Sequence, residues 1–209
     1  MRKILDIYKE YKIPPKLQQH MFRVSGIICY VAENTNLIID KKKLIKAGLL
    51  HDMGNILKMD FYSNIPINTS YSVEEKEYWN KVKNEYKTKY GNHTDVATLA
   101  ICRELGISAD IIFLLNNLGF KYVCDIANGS LEKQILKYGD LRVGLYGIIS
   151  LKERIEDANV RYNGIFSDVD IACTERIENQ IFSHSNIKPE DITDESIAPY
   201  IETLKNFEI

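Results

Sequence analysis

The stretch Ala47-Gly48-Leu49-Leu50-His51-Asp52-Met53-Gly54-Asn55 decides the fold. Asp40, a good N-cap, opens a helix that carries Leu44, Ala47, Gly48 and Leu50 toward it. The helix then ends in polar chemistry. Consecutive helical side chains point about 100° apart, so His51 and Asp52 can meet at one point only from a loosened last turn. Gly54 permits that loosening.

Upstream, Pro14-Pro15 marks the start of a long helix running to Asn34, because proline in the first turn loses no N–H that the helix needs. Leu17, Met21, Val24, Ile28 and Val31 share one face, and His20 stands mid-helix. Downstream, a Ser130 cap starts a helix through Leu131, Ile135 and Leu136 to Asp140 and Val143, extending toward Gly147. There Asp140 interrupts the stripe made by Leu136 and Val143.

The same helical period fills the remaining chain. From Met59 to Asn92 the composition turns to Tyr, Asn, Ser, Lys and Glu, with a turn at Pro66 and a capping box, Ser72-x-x-Glu75. Trp79, Val82, Tyr86 and Tyr90 share a side of the helix that follows. The segment reads as an outer helix packed through this stripe, with an insertion over a site as the alternative. Helices follow at His93 to Leu105, stopped by Gly106, and from the Ser108 cap to Asn117. A second capping box, Ser150-x-x-Glu153, starts another, and two more follow Gly164, parted near Lys188-Pro189. Alternating strand patterns are scarce, so the fold class is all-α. With 209 residues, one domain is expected over 1–209, its core at about 16–145 and a C-terminal helical extension at about 150–209.

Composition excludes several functions. A net charge of −2 gives no field to hold a long nucleic acid nonspecifically. Apolar runs such as Ile111-Ile112-Phe113-Leu114-Leu115 fall far short of the roughly 20 residues that span a bilayer, so no membrane segment is expected. The charged start Met1-Arg2-Lys3-Ile4-Leu5-Asp6 lacks an export signal. Cys29, Cys102, Cys124 and Cys173 stand singly and read as buried free thiols of a cytoplasmic protein. No glycine-rich phosphate loop or repeat is present.

The histidines are four, and their company is informative. An ionised carboxylate on an apolar helix face costs several kcal/mol unless it is paired or ligates a metal, so Asp140 calls for a cation. A divalent ion answers that need, and imidazole with carboxylate suits Mn, Fe, Co, Ni, Zn or Mg. Each histidine taken singly also fits an ordinary hydrogen-bonded residue.

Three segments carry a family resemblance: His20-Met21-Phe22-Arg23-Val24, the stretch Ala47–Asn55, and Tyr138-Gly139-Asp140-Leu141-Arg142-Val143. Their ordered H…HD…D set resembles the HD-domain metal-dependent phosphohydrolase superfamily. The resemblance implies an α-helical bundle in which His20, His51, Asp52 and Asp140 bind a divalent metal. His93-Thr94-Asp95-Val96-Ala97 looks like the segment that supplies a further histidine in several subfamilies. The next expected histidine is replaced by Leu114-Leu115-Asn116-Asn117-Leu118-Gly119, so one metal is favoured over two. His93 is then open to phosphate binding or proton transfer, with helix capping as the plain alternative.

The function expected is hydrolysis of a phosphate ester by a metal-activated water, on a small nucleotide or related phosphomonoester. Dinucleoside polyphosphates and cyclic dinucleotides are the alternative substrates, and a noncatalytic metal- or nucleotide-binding sensor is the rival class. Asp52 orients or deprotonates the water. Arg23, one turn after His20, and His93 neutralise the phosphoryl oxygens. Arg142 is two residues past Asp140, and Lys58 follows Gly54-Asn55 where the family often has Gly-Lys, so both are candidate substrate contacts; a solvated lysine is the alternative for Lys58. Arg154 and Arg161, among Glu153, Glu156 and Asp157, read as surface ion pairs outside the site. The C-terminal helices either cover the bundle or form a homodimer contact.

Overall fold

The computed structural model describes residues 2–63 and 71–209. The turn expected at Pro66 lies outside them. The described chain is helical: α1 (Ile4–Glu10), α2 (Pro15–Glu33), α3 (Lys41–Leu50), α4 (Val73–Tyr90), α5 (Thr94–Glu104) and α6 (Ala109–Leu115) come first. After them run α7 (Val123–Ala127), α8 (Leu131–Leu141), α9 (Leu151–Arg161), α10 (Asp168–Phe182) and α11 (Asp194–Leu204). Short 3-10 turns occupy Asn55–Lys58, Phe120–Tyr122 and Pro189–Asp191.

Local chemistry sets most of these starts. Asp40 accepts from the Lys43 amide and Ser130 from the Lys133 amide. Ser72 with Glu75 and Ser150 with Glu153 form complete capping boxes at α4 and α9, each satisfying two amides that the helix start would leave unpaired. Caps of this kind contribute about 1 kcal/mol apiece. Two helices were not expected from the pattern, α1 and α7. Both are short, and α1 is held by burial of Ile4, Ile7 and Tyr8 rather than by a cap.

The long α2 is the axis of the bundle. It packs against α3, α8 and α11, so the last helix lies along the same rod as the HD segment. Leu17, Met21, Val24, Ile28 and Val31 of α2 are buried, as their spacing requires. Burying each such side chain is worth about 1.5–3 kcal/mol. The apolar cluster continues from Ile4 in α1 to Leu204 in α11. Of the two uses open to the C-terminal helices, covering the bundle is the one seen: α10 packs on α7 and α8, and α11 on α2. The α4 stripe likewise faces inward, with Val82 and Tyr86 buried and Trp79 stacked on Phe61.

One expectation about the cysteines is corrected. Cys124 of α7 and Cys173 of α10 are joined in a disulfide across 49 residues. Their spacing gave no sign of it, because helix packing, not sequence proximity, brings them together. Cys29 and Cys102 are free and buried. Burial pushes the thiols up, to about 11 and about 12, which keeps them unreactive. The cytoplasmic reading loses the support it took from four free thiols. No described helix is long and apolar enough to cross a membrane.

Candidate metal centre

The site is built where α3 stops. The helix ends at Leu50, and His51 and Asp52 occupy the turn that follows, so both side chains can face one point. Tyr8 of α1 props this end: its buried hydroxyl donates to the Leu49 carbonyl at 2.6 Å. His51 Nδ1 lies 2.7 Å from the Gly48 carbonyl, which can only accept, so Nδ1 carries the ring proton. The bare lone pair is therefore on Nε2, facing inward.

Two glycines let the neighbouring helices close on this turn. A Cβ on Gly48 would meet Ile28 Cδ1 and Ser25 Oγ at 2.7 Å, so glycine is what lets α2 approach α3. Gly54 acts in the same way toward α5. Its φ of −92° is ordinary, so it is not the left-handed stop that a helix C-cap would use. Its Cβ would instead overlap the Thr94 carbonyl and stand 2.8 Å from Ala97 Cβ and Thr98 N. The Gly54 amide donates to Thr98 Oγ1 at 2.9 Å, pinning α5 to the turn.

Four of the expected side chains converge. His20 Nε2 stands 3.2 Å from His51 Nε2, and 3.4 Å from both Asp52 Oδ2 and Asp140 Oδ1. His51 Nε2 is 3.7 Å from Asp52 Oδ2 and 3.9 Å from Asp140 Oδ1. His20, His51 and Asp52 each offer a ligand atom within 4.8 Å of the others, the one such grouping among the described residues. Atoms each about 2.0–2.2 Å from a shared ion lie about 3–4 Å apart, so these spacings fit the edges of one coordination shell. The donor chemistry fits as well. Two ring nitrogens and two carboxylates crowded together hold an excess of lone pairs that a cation relieves.

Lys137 stands behind Asp140 and was not singled out from the sequence. It lies one helical turn earlier on α8, is 2% exposed, and donates to Asp140 Oδ2 at 2.8 Å. Its ammonium also sits 4.6 Å over the Phe120 ring. Burial alone would push the Asp140 carboxyl up; the Lys137 ammonium beside it leads the effects that outweigh burial and hold the carboxyl well below the usual range. Asp140 thus stays ionised, one oxygen on Lys137 and the other turned to the histidines. The i,i+3 spacing of Lys137 and Asp140 was a readable signal, but lysine on a helix ordinarily faces water.

The family model for the HD domain matches residues 17–140, more than half of the chain. The chain belongs to the HD-domain family. Membership places it in a superfamily of metal-dependent phosphohydrolases. No curated protein and no solved structure matches it.

The remaining expected residues of this HD domain are more scattered. Arg23 is on α2 one turn past His20; its Nε donates to Asp194 Oδ1 at 3.0 Å, and it lines a cleft together with His20. His93 is exposed at the N-cap position of α5, where its carbonyl accepts from the Ala97 amide but its ring makes no capping bond. Because Thr94 abuts Gly54, His93 does lie next to the turn that carries His51 and Asp52. Lys58 is exposed at the end of its 3-10 turn. Arg142 is a correction. It is 4% exposed, and its guanidinium donates to the Tyr138 hydroxyl and to the carbonyls of Ile149, Pro189 and Ile192. Those bonds tie the end of α8 to the segment before α11 and commit four of its five N–H donors away from substrate. Asn116 and Asn117 also find a local reason. They form the turn after α6, where Asn117 takes φ of 56°, a conformation that asparagine tolerates well.

Proposed function

We propose that this HD domain hydrolyses a phosphate ester of a small nucleotide or related phosphomonoester, using one divalent ion held by His20, His51, Asp52 and Asp140. The observation that carries the reading is the His51 ring. Its Nδ1 proton is committed to Gly48, so its Nε2 lone pair meets His20 Nε2 and two carboxylates with no proton of its own to share. One ion is preferred to two, because the residues that would extend the site are asparagines engaged in a turn.

When bound, a divalent ion supplies Lewis acidity, polarising a phosphoryl oxygen and bringing the pKa of water down toward about 7. The chain's residues do the rest. Asp52 orients the water and accepts its proton as the new O–P bond forms and the ester P–O bond breaks. The departing oxygen leaves as an alcohol once protonated, and His93 is the donor we assign to it. Arg23 faces the phosphoryl oxygens, where a positioned donor is worth about 2.7–4 kcal/mol as charge develops. Asp140, locked by Lys137, holds its oxygen in place without taking part in proton transfer. The small-molecule assignment is consistent with a cytoplasmic protein; a homodimer plays no part in it.

The test is a nucleotide panel assayed with Mn, Fe, Co, Ni, Zn and Mg, on wild type and Asp52→Ala. Metal-dependent release of phosphate or nucleotide by the wild type, abolished in the folded variant, is the expected result. Undiminished turnover in that variant rejects the assignment. Stoichiometric metal without hydrolysis of any panel member would instead mark a sensor.

A further inference from the structure

The cleft beside the cradle holds more positive charge than one phosphoryl group requires. On α2, Lys16, Gln19, His20 and Arg23 follow the i, i+3, i+4, i+7 spacing of a single helix face, turned away from the buried stripe. On α9, Arg154 and Arg161 are seven residues apart and share a face in the same way. The two faces meet across one cleft that opens to solvent. Val143, Gly144 and Leu145 close one side, and no carboxylate residue is among those that line it. Surface ion pairing, the expectation for Arg154 and Arg161, is therefore only half of what they do.

The charges are oriented as well as close. Asp157 receives Arg154 Nη1 at 3.3 Å and Arg161 Nε at 2.9 Å, holding the two guanidiniums side by side. Asp194 steadies Arg23 in the same manner. Three guanidiniums thus share two carboxylates, and Lys16, over the Tyr71 ring at 4.4 Å, adds a fourth cation. The Arg154 side chain is 12% exposed and its Nε is buried without an acceptor. A buried donor left so costs about 1–3 kcal/mol; the lining of the cleft by Arg154 is left to its outer N–H groups. Cleft and cradle meet at His20, which belongs to both.

We infer that this cleft binds a second phosphate of the substrate, so that the substrate class is a nucleotide carrying two or more phosphates in a chain. The inference rests on the proposed phosphohydrolase reading for the placement of the first phosphate at the cradle. Arg161 commits its Nε and Nη2 to Asp157 and Arg154 its Nη1, which leaves Nη1 of Arg161 and Nη2 of Arg154 as the groups to meet phosphate oxygens.

Inorganic tripolyphosphate is the probe, titrated calorimetrically into chelator-treated full-length protein, with citrate as the carboxylate control. Wild type should bind tripolyphosphate at least tenfold more tightly than citrate. Arg161→Gln, at an exposed position, and Lys16→Gln, at a partly exposed one, should each weaken it tenfold or more with unchanged thermal melting. Wild-type affinity in both variants overturns the inference, and so does equal binding of citrate. Because this arm needs no metal, a nucleotide panel that shows no hydrolysis defeats the proposed activity alone. In the metal-loaded enzyme, Arg161→Gln should lower kcat/KM for a nucleoside triphosphate at least tenfold more than for the monophosphate. An equal loss on both would place Arg161 at the first phosphate and reject the second site.

Discussion

The cradle and the cleft lie side by side and share His20, yet they are built on opposite principles. The cradle takes its donors from α2, the end of α3 and α8, all within the segment that matches the HD family. It gathers acids and imidazole rings, a set that attracts a cation. The cleft takes half its charge from α9, beyond that segment, and gathers cations, a set that attracts an anion. On the proposed reading the difference is a division of labour: the shared segment supplies the reaction's chemistry, and the chain's own extension holds what is brought to it.

The sharpest break of that division is at His51. His51→Gln removes the inward lone pair while preserving size and polarity. Bound metal, measured by elemental analysis, should fall from one equivalent to near zero, and hydrolysis should fall by more than the roughly 10–100-fold expected for an outer partner of a ligand. Tripolyphosphate binding in the cleft should stay within about twofold of wild type, since its residues are arginines and lysine. Loss of both would show that cradle and cleft are one site.

Lys137 gives the next largest effect. Lys137→Met leaves the Asp140 carboxylate without its counter-charge, and breaking a buried pair by removing one partner costs about 3–5 kcal/mol. The metal-free protein should therefore melt markedly lower. Added divalent ion should then raise the melting temperature more in the variant than in wild type, because it replaces the missing positive charge. An equal rise in both would mean that Lys137 and the ion do not neutralise the same carboxylate.

Much of this arrangement was legible in the sequence, and for local reasons. Ser72 with Glu75, Ser150 with Glu153 and the Asp40 cap act on amides three residues away, so their helices could be read directly. The loosened turn at His51 and Asp52 followed from helix geometry alone, although Gly54 serves it through close packing rather than a left-handed backbone. What escaped depends on distant partners. Lys137 reads as a solvent lysine until Asp140 and Phe120 are placed around it. Arg142 reads as a substrate contact until carbonyls 47 and 50 residues later take its donors. Arg154 and Arg161 pair with Asp157 in the sequence as on any charged helix, and only the facing stripe on α2 turns the pair into a wall. The Cys124–Cys173 bond is of the same kind.

His93 offers a smaller test from the cradle side. Its ring makes no capping bond and the residue is exposed, so His93→Gln should leave stability within about 0.5 kcal/mol. If it protonates the leaving oxygen, kcat should fall about a hundredfold, the low end for a positioned proton donor. The loss should shrink for a substrate whose leaving group needs no proton, such as a nitrophenyl ester. A uniform loss on both substrates would make His93 a phosphate contact instead.

The smallest effect belongs to Lys58, and it sharpens the comparison most. Lys58 stands on the turn after the HD doublet, exposed, and is not among the residues that wall the cleft. A lone exposed ammonium acts through screened charge, worth well under about 1 kcal/mol at physiological salt. Lys58→Gln should therefore raise KM by less than about threefold at 0.15 M salt, and the change should vanish as salt is raised. Arg154 differs, because a buried guanidinium is screened far less and its contribution persists in salt. Were Lys58→Gln to cost as much as Arg161→Gln, and to resist salt, the phosphate chain would have to leave the cradle past the 3-10 turn rather than along α9.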